Sequence, residues 1–213
     1  MKKQRFWLTP AAGLIGLLAV ALVLFLAQGQ PAYAAGFTVD STADVVDASP
    51  GDGVCDDGSG NCTLRAAIME ANALAGADTI DLPAGTYTLS IAGAGEDANA
   101  TGDLDITDDL TISGAAAAST IVDGAGLDRV FHIIGSVTVE ISGLTIQHGS
   151  AVSAGGGIFN LGTLTLTSST VSGNTAGGEG GGIANLGTLT LDNSTVTATR
   201  PSSTAAASST SAR

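Results

Sequence analysis

Residues 155–179, GGGIFNLGTLTLTSSTVSGNTAGGE, are followed by GGGIANLGTLTLDNSTV, a register of twenty-five residues that carries Gly155 onto Gly180. Self-similarity at such a period is the mark of a solenoid. Within each copy Ile158, Leu164 and Leu166, then Ile183, Leu189 and Leu191, alternate with threonine or serine. Each segment therefore has one apolar and one polar face, as a half-buried strand requires. No single copy can bury its apolar face alone, so burial needs stacked copies. One strand-bearing coil per twenty-five residues, rich in Gly, Thr, Ser and Asn, predicts an all-β chain: a single-stranded parallel β-helix of about five coils.

The two ends carry different signals. Lys2, Lys3 and Arg5 precede an apolar run over residues 11–27, and Ala32-Tyr33-Ala34 stands before Ala35. This is the pattern of a secretory signal peptide, residues 1–34, cleaved between Ala34 and Ala35. The expected location is secreted or at the surface of a bacterial cell, with membrane contact only through that segment if it stays uncleaved. Its removal takes every lysine and leaves four arginines, Arg65, Arg129, Arg200 and Arg213, against twenty acidic residues. A surface so acidic repels phosphates and anionic lipid, which excludes nucleic acid as a partner and disfavours acidic polysaccharides. At the other end the second repeat loses its pattern after Thr197. Residues 198–213 are a Ser, Thr and Ala tract without strand period, predicted to be disordered, and no polar cap for the last coil is visible. The chain reads as a truncated or frame-disrupted member of a longer family, and an uncapped last coil predicts self-association through its open strand edge.

Between these ends the mature chain divides at about residue 78. Residues 35–77 hold a short strand at Phe37-Thr38-Val39, a loop rich in Asp and Gly, and Cys55 and Cys62 with six residues between them. In an exported chain two cysteines read as one disulfide. Thr63 is placed to N-cap a helix over residues 64–74 that ends near Gly76, with Leu64, Ala67, Ile68 and Ala71 on one face. Such a helix ahead of a solenoid covers its open first coil. Coils are predicted over residues 78–197. Leu110-Thr111-Ile112-Ser113-Gly114 recurs twenty-seven residues later as Val137-Thr138-Val139 ahead of Ile141-Ser142-Gly143.

At Cys62-Thr63-Leu64-Arg65-Ala66-Ala67-Ile68 the chain resembles the CSLREAI domain, an N-terminal module of bacterial exported proteins. The flanking residues 37–44, the Gly51-Asp52-Gly53-Val54-Cys55 loop and Ala71-Asn72-Ala73 resemble the rest of it. Thr63 stands for the Ser of that heptapeptide and keeps an N-cap hydroxyl, whereas Ala66 replaces its Glu and removes the second half of a capping box. Downstream, Gly156-Gly157-Ile158, Val171-Ser172-Gly173-Asn174 and Gly181-Gly182-Ile183 resemble the GGA[ILV] and FxxN repeats of chlamydial-type polymorphic outer-membrane proteins, with Val171 in place of Phe. These resemblances imply a right-handed parallel β-helix at or beyond the cell surface, in a group with adhesin-like members.

Candidate sites follow from residue chemistry. Asn160 and Asn185 occupy equivalent positions in the two copies, and stacked amides there predict a structural ladder. Asp103, Asp105, Asp108 and Asp109 form one acidic cluster, and Asp52, Asp56, Asp57 and Asn61 another. Neither has the EF-hand spacing, so solvated turn acids are the expectation, with no cofactor beyond loosely held calcium. Arg129, His132 and His148 are the basic groups a polysaccharide lyase or hydrolase on this fold would use. No Asn-Thr-Asp or Arg-Ile-Lys run of the polygalacturonase kind accompanies them, and no catalytic residue is assigned. The sequence therefore predicts an exported, non-enzymatic β-helix that binds a surface glycan or protein, adhesin-like in role. The alternatives are a pectate-lyase-like lyase or hydrolase, or a degenerate fragment of a larger surface protein.

Overall fold

The computed structural model describes residues 34–197 and the backbone of residues 200–201. The predicted leader, apart from Ala34, and the tail beyond 201 lie outside the described residues. Strand β1 (Gly36–Thr38) comes first and helix α1 (Leu64–Ala73) next. The first turn of the solenoid is β2 (Asp78–Leu82), β3 (Gly85–Thr88) and β4 (Leu104–Ile106), and the second is β5 (Leu110–Gly114), β6 (Thr120–Asp123) and β7 (Phe131–Ile133). A third contains β8 (Thr138–Ser142), β9 (Thr145–Gln147), β10 (Ser150–Ala151) and β11 (Ile158–Asn160). The fourth contains β12 (Thr163–Thr167), β13 (Thr170–Ser172), β14 (Thr175–Ala176) and β15 (Ile183–Asn185). Strands β16 (Thr188–Asp192), β17 (Thr195–Thr197) and β18 (Arg200–Pro201) open a fifth.

Every inter-strand pairing is parallel and joins a strand to its counterpart one turn away. The chain is a parallel β-solenoid with about four complete turns, one fewer than the five expected. Longer early turns account for the difference: Asp78 pairs with Leu110 thirty-two residues on, and Leu110 with Val139 twenty-nine on. Only the later turns keep the twenty-five-residue step, Val139 to Leu164 to Leu189. The twenty-seven-residue match of Leu110 to Val137 is thus two residues short. A slip of two keeps the same face inward, so hydrophobic pattern alone does not detect it. The solenoid also runs beyond its predicted boundary at Thr197, because Arg200–Pro201 pairs with Thr175–Ala176.

Side-chain columns run through the core along the stacking direction. Phe37, Ile80, Ile112, Ile141, Leu166 and Leu191 are successive register partners in one sheet, and Tyr87, Val122, Ile146, Val171 and Val196 in another. Each fully buried aliphatic member contributes about 1.5–3 kcal/mol. The triple glycines permit close stacking at the turns: Gly155 and Gly180 adopt left-handed φ of 68° and 65°. A Cβ on Gly157 would stand 2.6 Å from the Gly182 carbonyl.

The N-terminal end is covered. Strand β1 extends the first sheet by pairing with β2, and α1 packs against β2 and β4. The Thr63 hydroxyl accepts from the Ala66 N–H at 3.1 Å and donates to the Val45 carbonyl at 2.6 Å, so the N-cap also ties the helix to the preceding loop. Leu64, Ala67, Ile68 and Ala71 are buried as one apolar face. A disulfide joins Cys55 and Cys62, with Cα atoms 5.1 Å apart. Among the described residues no helix is long and apolar enough to cross a membrane.

Candidate functional site

Strands β4, β7, β11 and β15 form one sheet, and residue alternation turns their middle positions outward. Register places Asp105, His132, Phe159 and Ala184 in one column along the outside of the solenoid. The lower half of this column is charged. Its lowest part is covered by the excursion between β3 and β4, residues 89–103, which leaves the regular coil.

That excursion is held by α1. Arg65 is 1% exposed. Its guanidinium pairs with Asp44 at 2.6 Å and donates to the carbonyls of Gly102 at 2.8 Å, Asp103 at 3.1 Å and Asn99 at 3.3 Å. Asn99, fully buried with φ of 60°, exchanges hydrogen bonds with Asp105: its N–H donates to Oδ2 at 3.1 Å, and its Oδ1 accepts from the Asp105 N–H at 3.2 Å. The planar fork of arginine suits this convergence of a carboxylate and several carbonyls.

Beside this knot Arg129 Nε stands 2.7 Å from Asp103 Oδ2, and His132 Nδ1 stands 3.3 Å from Asp105 Oδ1 and 3.6 Å from Asp97 Oδ1. Burial lifts the Asp103 carboxyl from its ordinary 3.8 to about 7; Asp105 and Asp128 add to the rise and Arg129 opposes it. The Arg129 contact is close yet not aligned as a hydrogen bond, and both Asp103 Oδ2 and Arg129 Nε lack a hydrogen-bond partner among the described residues. Desolvation therefore outweighs the ion pair. Asp97, Asp105 and His132 are close enough to share a divalent ion. An imidazole in the donor set suits zinc or manganese better than calcium.

The upper half of the column is apolar and open. The ring of His132 stacks on Phe159 with centroids 5.3 Å apart and planes inclined by 19°, and the Arg129 guanidinium carbon is 5.3 Å from the Phe159 centroid. Above Phe159 the next residue is Ala184, so the stack stops. A cleft of about 640 Å³ opens at that point, walled by Val152, Ser153, Glu179 and Gly180 on one side and by Phe159, Ala184 and Leu186 on the other. Val152 is 89% and Leu186 75% exposed. A second cleft, about 440 Å³, is lined by His148, Gly126, Gly173 and Thr175. There the imidazole of His148 engages Asp123 Oδ2 at 2.9 Å.

The other candidate residues are occupied structurally. Asn160 donates from Nδ2 to Asn185 Oδ1 at 2.6 Å and to the Thr188 carbonyl at 2.9 Å, while its Oδ1 accepts from the Gly162 N–H. Asp52, Asp56 and Asp57 accept from backbone amides of their own loop, and Asn61 donates to Asp57 and Ser59. The second acidic cluster splits: Asp103 and Asp105 lie buried beside Arg129 and His132, whereas Asp109 accepts from Thr138 N–H in the next turn.

No protein-family model, curated protein or solved structure matches this chain. Phe159 itself was missed in the sequence. Its signal was available, since Phe159 and Ala184 are the first position at which the two repeats differ. Arg65 and Glu70 are buried polar residues that helix periodicity passes over because it ranks only apolar faces, and Asn99 lies in the irregular excursion, where no period applies. Glu70, fully buried, accepts from the Gly51 N–H at 2.5 Å and from the Gly53 N–H.

Proposed function

We propose that this is an exported, non-enzymatic β-solenoid that binds a neutral glycan of a surface or matrix through the cleft above Phe159. One observation carries the reading: a rigid aromatic stack ends at Phe159 beneath a cleft of ligand size, with an alanine where the next ring would stand. Pockets of about 300–1,000 Å³ that combine apolar walls with a few polar groups are the usual form of a small-ligand site. A sugar ring that lays its C–H face on Phe159 continues the stack, and Ser153, Glu179 and Asn185 supply hydrogen-bonding groups around it. Glu179 and the acidic surface favour a neutral over an acidic glycan.

The buried charges argue against catalysis on a polysaccharide. A general acid must touch the proton it transfers. The side chains of Asp103 and Asp105 are only 4% and 0% exposed, beneath the excursion that α1 holds. The environment that raises Asp103 belongs to an ion-pair pin under the platform, a common structural cause of shifted acidity.

Glycan-array binding followed by calorimetry tests the proposal. Phe159→Ala should weaken a neutral oligosaccharide about ten-fold, in line with the about 0.5–1.5 kcal/mol that aromatic packing adds beyond area burial. Phe159→Trp should keep or strengthen it. Equal binding by Phe159→Ala, or turnover of the bound polysaccharide, would refute it.

A further inference from the structure

The residue immediately after the predicted leader is also the first described residue that the solenoid grips. Ala35 packs half-buried against the core, and its carbonyl accepts from the Thr79 N–H at 2.9 Å, whereas Ala34 is exposed. The Ala35 nitrogen lies 2.6 Å from Asp78 Oδ1. Asp78 opens β2 and is 1% exposed. Its other oxygen, Oδ2, is buried without a hydrogen-bond partner among the described residues.

A buried carboxylate in that condition needs a cation to stay ionised. Among the described side chains none is left to serve. Arg65 is held by Asp44, Arg129 by Asp103, His132 by Asp97 and Asp105, and His148 by Asp123. Burial and the charge of Asp108 both push the Asp78 carboxyl above its ordinary range, against the single hydrogen bond from Ala35. The lysines of the sequence, Lys2 and Lys3, precede the predicted cleavage point.

We propose that Asp78 is the receptor for the chain's own processed N-terminus: cleavage after Ala34 creates an α-ammonium on Ala35 that forms an ion pair with Asp78. Hydrolysis of the Ala34–Ala35 amide consumes one water. The acyl carbon leaves as the Ala34 carboxylate, and the nitrogen becomes a primary amine that takes up a proton at neutral pH, its ordinary pKa being about 7.7–8.0. The same atom that offered one N–H to Oδ1 then offers three, enough for both carboxylate oxygens, and it carries the missing charge. In the precursor the Asp78 carboxylate receives one hydrogen bond from this corner, that of the Ala35 N–H. The exported chain locks β1 onto β2 through a charge-assisted pair. Cleavage position and fold completion are thereby coupled, whatever the cleft above Phe159 binds.

The test compares chains released from a cleavable N-terminal fusion so that they begin at Ala35 or, one residue longer, at Ala34. In urea the Ala35 chain should be harder to unfold, with an unfolding constant about ten-fold smaller, the equivalent of one pKa unit on the paired group. Asp78→Asn should erase the difference between the two starts. Acetylation of the Ala35 amine, which removes the charge while leaving Asp78 intact, should cost the same factor and serves if the Asp78→Asn chain does not fold. The intact mass of protein exported by an expression host should correspond to an N-terminus at Ala35. Equal stability of the two starts, a difference that survives Asp78→Asn or acetylation, or an exported chain that begins elsewhere would overturn the proposal.

Discussion

Arg65→Ala should release the cap from the solenoid. The substitution leaves the Asp44 carboxylate, whose side chain is 3% exposed, without its cation, and takes donors from the carbonyls of Asn99, Gly102 and Asp103. Removing one partner of a buried ion pair costs about 3–5 kcal/mol. The amides of Ser90 and Ile91 still donate to Asp44 Oδ2, at 2.7 and 3.0 Å, which places the loss nearer about 4 kcal/mol than the sum of every broken contact. Against a total stability of about 5–15 kcal/mol this is a large fraction. With a urea slope of about 2 kcal/mol/M, the midpoint should fall by about 2 M. Arg65→Lys keeps the charge and loses the fork, so it should recover about half. Hydrogen exchange supplies the local readout: the amides of Ser90, Ile91, Gly102 and Asp105 should lose protection first, while those of β12 stay protected. A fall below about 1 kcal/mol, or a uniform loss of protection along the solenoid, would show that Asp44 is satisfied by its backbone donors and that Arg65 is not the pin.

Two further outcomes follow from the geometry. Asp103 holds its proton to about pH 7 when folded, against 3.8 as its ordinary value, so the folded state binds more protons in that window. Stability should therefore fall as pH rises from about 4 through about 7, and urea midpoints across that range should flatten in Asp103→Asn. At the far end, β16 pairs only with β12 among the described strands, and Val196 is 37% exposed. Light scattering of the purified chain should show association that grows with concentration; a monodisperse monomer at high concentration would mean that this edge is covered.

Architecture was legible because a solenoid repeats its evidence. Ile158, Leu164 and Leu166 recur as Ile183, Leu189 and Leu191, and the observed register pairs each with its copy. The number of turns was less legible, since the early coils carry insertions such as residues 89–103 and a two-residue slip leaves every apolar side chain facing inward. The disulfide followed from two cysteines in a chain whose N-terminal pattern predicts export, and the N-cap from a hydroxyl at the right place. The site was barely legible. Arg129 and His132 are read from sequence as neighbours of each other, but Asp103 and Asp105 reach them only through stacking, one turn and about twenty-seven residues away, and Phe159 from the next turn. Contacts made along the stacking axis are invisible to any local pattern.

The same stacking ties the cap to the proposed binding face. Arg65 fixes Asn99, Asn99 fixes Asp105, Asp105 stands against His132, and the ring of His132 lies under Phe159. Each link crosses to the neighbouring turn or to the excursion over it, so the platform's orientation is set from α1 upward rather than by its own loop. An aromatic platform supported in this way loses little freedom when a ligand lands on it, and a pre-ordered surface keeps more of its contact energy as affinity. This gives a reason for burying so many charges beneath the proposed binding site. An apolar support would hold Phe159 by packing alone, whereas directional bonds from Arg65 and Asn99 hold one rotation of the column and exclude its neighbours. On this account Arg65→Lys should blunt glycan affinity along with stability, although Arg65 touches neither Phe159 nor the cleft.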